Sequence, residues 1–238
     1  QGVYELGSTF KIFTVAQALE LGLVDPKTKI NTKGPIRIGG HKINDYRSNG
    51  PELPVWEVIT ESSNLGTARI AKMIGPEKQR EFLSSLGFSK PTTIEMIEAN
   101  GGKPLLPKRW NELETMTISY GHGLSATPLH LATGYATLAN GGRLVNPTLL
   151  QEVKPVLGPR VISKEVAENS LAMLRGVVTG GTASLADVDG YFVGGKTGTA
   201  DKPSSQGGYD KEKNITNFAS IFPINEPKYV LVLSLIHI

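Results

Sequence analysis

Three short stretches carry side chains suited to nucleophilic and general-base chemistry: Ser8-Thr9-Phe10-Lys11, Ser62-Ser63-Asn64 and Lys196-Thr197-Gly198-Thr199. A serine hydroxyl is a weak nucleophile until a base takes its proton, and a lysine amine can be that base only when uncharged. Ser8 stands where an apolar segment of helical period begins, directly after Gly7. Lys11 falls one turn later on the same face, within reach of the Ser8 hydroxyl. The positive end of the helix dipole disfavours a protonated lysine there, and a second cation such as Lys196 would depress its pKa further. Ser8 is thus the candidate nucleophile and Lys11 its candidate base. The bland alternative is a capping serine and a solvated lysine.

Ser62 and Asn64 fall inside a segment of helical pattern, where Ser and Asn are poor formers, so they read as polar groups turned toward a site. Ser62 is then placed to relay a proton to a leaving group; the bland alternative is a helix break or cap. Gly190 to Thr197 matches the phosphate-cradling pattern Gly-x4-Gly-Lys-Thr letter for letter. That loop needs a helix opening at its lysine, and Gly198 and Pro203 oppose one. A strand with Gly194, Gly195 and Gly198 fits better and leaves room for a peptide-like ligand along it. His122 and His130 have no acidic or thiol cluster around them, so no metal site is predicted. In a chain of this composition, about one Ser-x-x-Lys arises by chance, so the flanks must carry the argument.

The elements that must hold these residues are legible in part. The spacing predicts helices over Ser8 to Leu21, Glu57 to Ile74, Glu77 to Leu86, from Thr127-Pro128 to Asn140-Gly141-Gly142, and over Ser163 to Val178. Residues 25 to 55, rich in Gly, Pro, Asn and Lys, predict an exposed connection. Gly190 to Ala200, Asn217 to Phe222 and Tyr229 to Ile238 predict strands, the last two joined as a hairpin, with Asp201 to Lys213 as a mobile loop. Helices first and an antiparallel sheet last predict an α+β fold.

With 238 residues, 39% hydrophobic and 20% charged, the chain can bury a core as one domain or as one domain with a helical subdomain. The net charge of +3 is dispersed, with no basic run to mark a nucleic-acid partner. The absence of Cys excludes disulfides and thiol chemistry. No apolar run reaches the roughly 18 residues of a membrane span. Both ends read as abrupt, and the chain is expected to be part of a longer protein.

The three motifs in this order, 54 and then 134 residues apart, resemble the penicillin-recognising serine transferases. The flanks YELGSTFK, WEVITESSNLGTARIA, SYGHGLSATPLHLATGYATLANGG and GGKTGTA are similar to the monofunctional (class B), division-specific septal transpeptidases. This resemblance implies a truncated penicillin-binding transpeptidase domain over residues 1–238. In it an antiparallel sheet is flanked by helices beside a mostly helical subdomain, with the membrane anchor, a non-catalytic module and the first strands outside this sequence. It implies Ser8 as the acylated residue, Lys11 as base and Ser62 in proton transfer. Asn64 would contact the substrate amide, and Lys196, Thr197 and Gly198 would line the opposite wall. Thr199 would meet the substrate carboxylate, and the Ser8 and Thr199 amides would form an oxyanion hole. No cofactor is implied. The implied ligands are peptidoglycan stem peptides ending in D-Ala-D-Ala and β-lactams, the implied partners cell-division membrane proteins, and the implied location the periplasmic face of the bacterial inner membrane. Leu6 stands where this family often has Pro, and the ending Ser-Leu-Ile-His-Ile departs from the family's polar continuation. A β-lactamase would need a deacylating Glu, and Glu165 to Asn169 only approximates that pattern. A β-lactam sensor domain would share the acylation but usually ends its second motif in an apolar residue.

Overall fold

In the computed structural model, residues 2–151, 156, 158–203 and 209–235 are described; for 201–203 and 209–213 this extends to the backbone alone. The chain opens with β1 (Tyr4–Glu5), a 3-10 turn (Gly7–Phe10) and helix α1 (Lys11–Glu20). Two short antiparallel pairs follow: β2 (Lys29–Asn31) with β5 (Glu52–Pro54), and β3 (Ile36–Ile38) with β4 (His41–Ile43) between them. Helices α2 (Val55–Thr60), α3 (Asn64–Ile74), α4 (Pro76–Ser85) and α5 (Glu112–Ser119) come next, then β6 (Ser125–Ala126), which pairs with β1. Helices α6 (Pro128–Ala139) and α7 (Lys164–Thr179) lead into the sheet β7 (Gly194–Pro203), β8 (Tyr209–Phe222) and β9 (Tyr229–Leu235). That sheet is antiparallel in the order β7-β8-β9, so the α+β architecture is present. No helix among the described residues is long and apolar enough to cross a membrane.

Helix α1 is buried from Lys11 through Ala18, which makes it the central rod of the core rather than an amphipathic surface helix. Phe10 and Phe13 meet Phe88 and Tyr135 edge-on or tilted, with ring centroids 4.9–5.7 Å apart. Such pairs add about 0.5–1.5 kcal/mol each beyond the burial itself. Gly134 on α6 makes room for them, because a Cβ there would lie 2.6 Å from the Phe13 ring. The α6 start is fixed as predicted: Pro128 takes the first helical position and the Thr127 hydroxyl accepts from the His130 amide. Helices α6 and α7 pack on the sheet, and α1 and α2 pack behind α7.

Two expectations need correction. The helix predicted over Glu57 to Ile74 is two helices, α2 and α3, broken at residues 61–63. Ser62 adopts φ 57°, a left-handed conformation that ends α2, and the Ser63 hydroxyl then caps α3 by accepting from the Gly66 amide at 2.9 Å. The mobile loop predicted over Asp201 to Lys213 is largely sheet: β7 and β8 continue their ladder to Pro203 and Tyr209 past a register shift at Asp201/Lys202. Residues 204–208 of that segment, and 236–238 of the last predicted strand, lie outside the described residues. Composition misled here because strand propensity is a weak local signal that sheet pairing overrides.

Candidate functional site

The nucleophile candidate sits in the 3-10 turn before α1, half-buried, where the chain squeezes between β7 and the segment after α5. Gly7 has φ 57° and donates its amide to the Gly121 carbonyl at 3.1 Å. A side chain at Gly7 would strike the Thr199 carbonyl, its Cβ only 2.5 Å from that oxygen. From the other side, a Cβ at Gly198 would lie 2.7 Å from the Leu6 carbonyl and 3.1 Å from the Thr9 amide. The two glycines therefore let the serine turn and the β7 strand lie backbone to backbone. The Tyr135 hydroxyl braces the turn from α6, donating to the Thr9 carbonyl at 2.9 Å.

The second motif arrives on the sharp bend between α2 and α3. The left-handed turn at Ser62 brings its carbonyl and hydroxyl together against α1, where Lys11 Nζ donates to both, to the hydroxyl at 3.0 Å. Lys196 reaches the same hydroxyl from β7, with Nζ 3.0 Å from Ser62 Oγ and 3.1 Å from the Thr197 carbonyl. Lys11 and Lys196 are both fully buried. The hydrogen bonds of Lys11 Nζ thus go to Ser62, rather than to Ser8 as its helical spacing suggests. Ser62 Oγ is the hub between two amines.

Two cations cannot share one buried hydroxyl without repulsion. Burial holds Lys11 well below the ordinary lysine range; neighbouring Lys196 lowers it further and Asp45 opposes. Burial pushes Lys196 down to about 7. A hydroxyl flanked by two amines that release protons this readily can pass a proton either way. That is the equipment of serine acyl transfer.

The remaining predicted residues flank these along α3 and β7. Asn64 begins α3 and its amide donates to the Asn44 carbonyl at 2.9 Å, which fixes its side chain and leaves its oxygen to other partners. The Thr197 hydroxyl lies 3.2 Å from that of Thr182, and Thr199 is exposed farther along the strand. Two further residues join the site without having stood out in the sequence. Asp45 accepts from the Ser63 hydroxyl at 2.7 Å and from the Leu65 amide at 2.9 Å, and so ties down the bend that carries Ser62. Thr182, after α7, touches the β7 wall. Neither has a spacing signal, since each meets its partner only through the fold.

The alternatives can be placed as well. Lys196 and Thr197 lie mid-ladder in β7, paired with Ala219 and Phe218, so no helix opens at the lysine as a phosphate loop requires. Glu165 and Asn169 line a cavity with Leu19, Glu20 and Asp25, at the end of α1 away from Lys11. By helix rise that is about 14 Å along the axis, too far to activate a water at Ser8. The His130 ring bonds to Thr127 and to the Lys90 carbonyl, and the His122 ring lies against Tyr120.

Similarity to known proteins identifies the family. The family model described as penicillin-binding protein transpeptidase domain matches residues 1–237, and the chain belongs to that family. It is 34% identical over 233 residues to the peptidoglycan D,D-transpeptidase FtsI of Escherichia coli strain K12, covering 97% of this chain and 39% of that protein. Among solved structures, the transpeptidase domain of Burkholderia pseudomallei penicillin-binding protein 3 superposes with a TM-score of 0.91 at 36% identity, covering 99% of this chain and 72% of that one. Penicillin-binding protein 3 of Mycobacterium tuberculosis, solved in complex with aztreonam, gives a TM-score of 0.88 at 29% identity over 98% of this chain and 56% of that one. The chain spans about 39% of the length of the first curated relatives it matches.

Proposed function

We propose that this chain is the catalytic domain of a septal peptidoglycan D,D-transpeptidase. The observation that carries the reading is Ser62 Oγ held 3.0 Å from both Lys11 Nζ and Lys196 Nζ, beside the turn that presents Ser8. In the first step Ser8 Oγ attacks the carbonyl between the two D-Ala residues of a stem peptide, and its proton passes to neutral Lys11. Developing negative charge on the carbonyl oxygen is met by the Ser8 and Thr199 amides, brought close by Gly7 and Gly198. The C–N bond then breaks, and the departing D-Ala nitrogen takes the proton through Ser62. Asn64 contacts the peptide amide, Lys196, Thr197 and Gly198 line the wall along which it lies, and Thr199 meets its carboxylate.

In the second step an amine of a neighbouring stem attacks the acyl-serine. It gives up a proton along the same relay, forms the cross-linking amide and restores the Ser8 hydroxyl. No step calls for a cofactor, because each proton passes among Ser8, Lys11, Ser62 and the substrate nitrogens. A β-lactam enters as a D-Ala-D-Ala mimic and stays bound to Ser8. In the whole protein we place this domain on the periplasmic face of the inner membrane, working with division proteins; the similarity to FtsI supports that placement. The test is mass spectrometry after penicillin exposure. One persistent adduct on Ser8, absent from Ser8→Ala, is expected. An adduct elsewhere, none on folded protein, or one that clears within minutes refutes the assignment.

A further inference from the structure

Composition predicts an exposed connection over residues 25 to 55, yet Asp45 within it is anchored against the site. Its two carboxylate oxygens accept from the Ser63 hydroxyl and the Leu65 amide, at opposite sides of the α3 start. Ser63 is fully buried, and its neighbour Ser62 carries the hydroxyl shared by the two amines. Asn44 adds a second clamp by accepting from the Asn64 amide. A carboxylate so placed both holds the bend and adds a negative charge beside a buried pair of bases. We propose that Asp45 is a positioning residue whose charge sets the pH at which the Lys11–Lys196 pair gives up its proton.

The charges around the pair support this. Lys11 enters from α1 and Lys196 from β7, and the groups acting on Lys11 are Lys196, which lowers its proton affinity, and Asp45, which raises it. Arg69 on α3 also feels Asp45, but its guanidinium is spent on the Asn31 and Lys33 carbonyls. Glu61, next to Ser62, is exposed to water, and Glu5 on β1 accepts from the Gly123 amide. Among the described residues, Asp45 is thus the negative charge that bears on the buried base. Without it, Lys11 would hold its proton less tightly and become competent at lower pH.

The inference rests on Lys11 acting as the base for Ser8, and the experiment separates the two ideas. The second-order rate of Ser8 acylation by a fluorescent penicillin is measured from pH 5.5 to 9.5. Parent, Asp45→Asn, Asp45→Glu and Ser63→Ala are compared. In Asp45→Asn the acid limb should move to lower pH by on the order of one pH unit. Asp45→Glu keeps the charge and should keep the parental midpoint. Ser63→Ala breaks the hydrogen bond but leaves the carboxylate, so it should change the plateau rate without moving the midpoint. Asp45→Ser is a second neutral variant held to the same outcome as Asn, should Asn disturb the bend. A neutral variant whose midpoint stays at the parental value or moves upward overturns the inference, as does Ser63→Ala shifting it equally. Parent protein that forms no adduct at any pH refutes instead the acyl-transfer reading.

Discussion

Replacing Lys196 by Met should stabilise the fold at neutral pH while abolishing acylation, and the gain should fade as pH rises. An unfolded lysine keeps its proton up to about 10.5, whereas burial brings Lys196 in the folded chain down to about 7. Between those values the unfolded state binds more protons than the folded one, so the stability of the parent rises with pH. Below pH 7 the full cost of the buried amine is present. At pH 7 that cost is on the order of 4 kcal/mol, since each pH unit between the two values is worth about 1.4 kcal/mol. Methionine fills similar volume but forfeits the bonds to Ser62 Oγ and the Thr197 carbonyl, each worth about 1 kcal/mol net. The expected net gain is about 2 kcal/mol at pH 7, or roughly 4–8 °C in melting temperature for a chain of this size. By pH 10.5 it should have vanished or reversed. Differential scanning fluorimetry of both proteins from pH 6.5 to 10.5, with penicillin labelling in parallel, checks this. A variant destabilised at pH 7, or a difference independent of pH, would refute the argument that Lys196 is held at the expense of stability for the sake of the site.

Replacing Lys11 by Ala should slow acylation at least about 10²-fold, the usual worth of a positioned base, while noncovalent ligand binding survives in titration calorimetry. Acylation at the parental rate would assign the base elsewhere. On the outer face of β9, Tyr229, Leu231, Leu233 and Leu235 are all exposed, an apolar row beside a sheet edge. Leu231→Thr together with Leu233→Thr should lower aggregation measured by light scattering on warming, since threonine suits a strand and removes apolar surface. Unchanged or greater scattering would show that this face does not govern association.

Local chemistry makes much of this protein readable from its residues. The Thr127-Pro128 start and the Asn140-Gly141-Gly142 stop of α6 follow from capping and φ preference, which depend on neighbours in sequence alone. The β8–β9 hairpin and the helix carrying Lys11 follow from apolar period and a short turn. The three motifs and their flanks are enough to indicate the family and to nominate the cleft residues. What sequence could not decide is how they meet. The bend at Ser62 runs against the helical period around it, because Lys11 and Lys196 hold the left-handed Ser62 while Asp45 holds its neighbour Ser63, three separate parts of the chain. Helical spacing pairs Lys11 with Ser8, its neighbour along the chain, whereas tertiary packing hands its hydrogen bonds to Ser62. In the sequence Asp45 is one polar residue among many in a loop, and its role exists only because α3 begins against it. Spacing along one helix is a local property; a buried charge balance belongs to the whole fold, since each member sits on a different element and only packing removes the water between them.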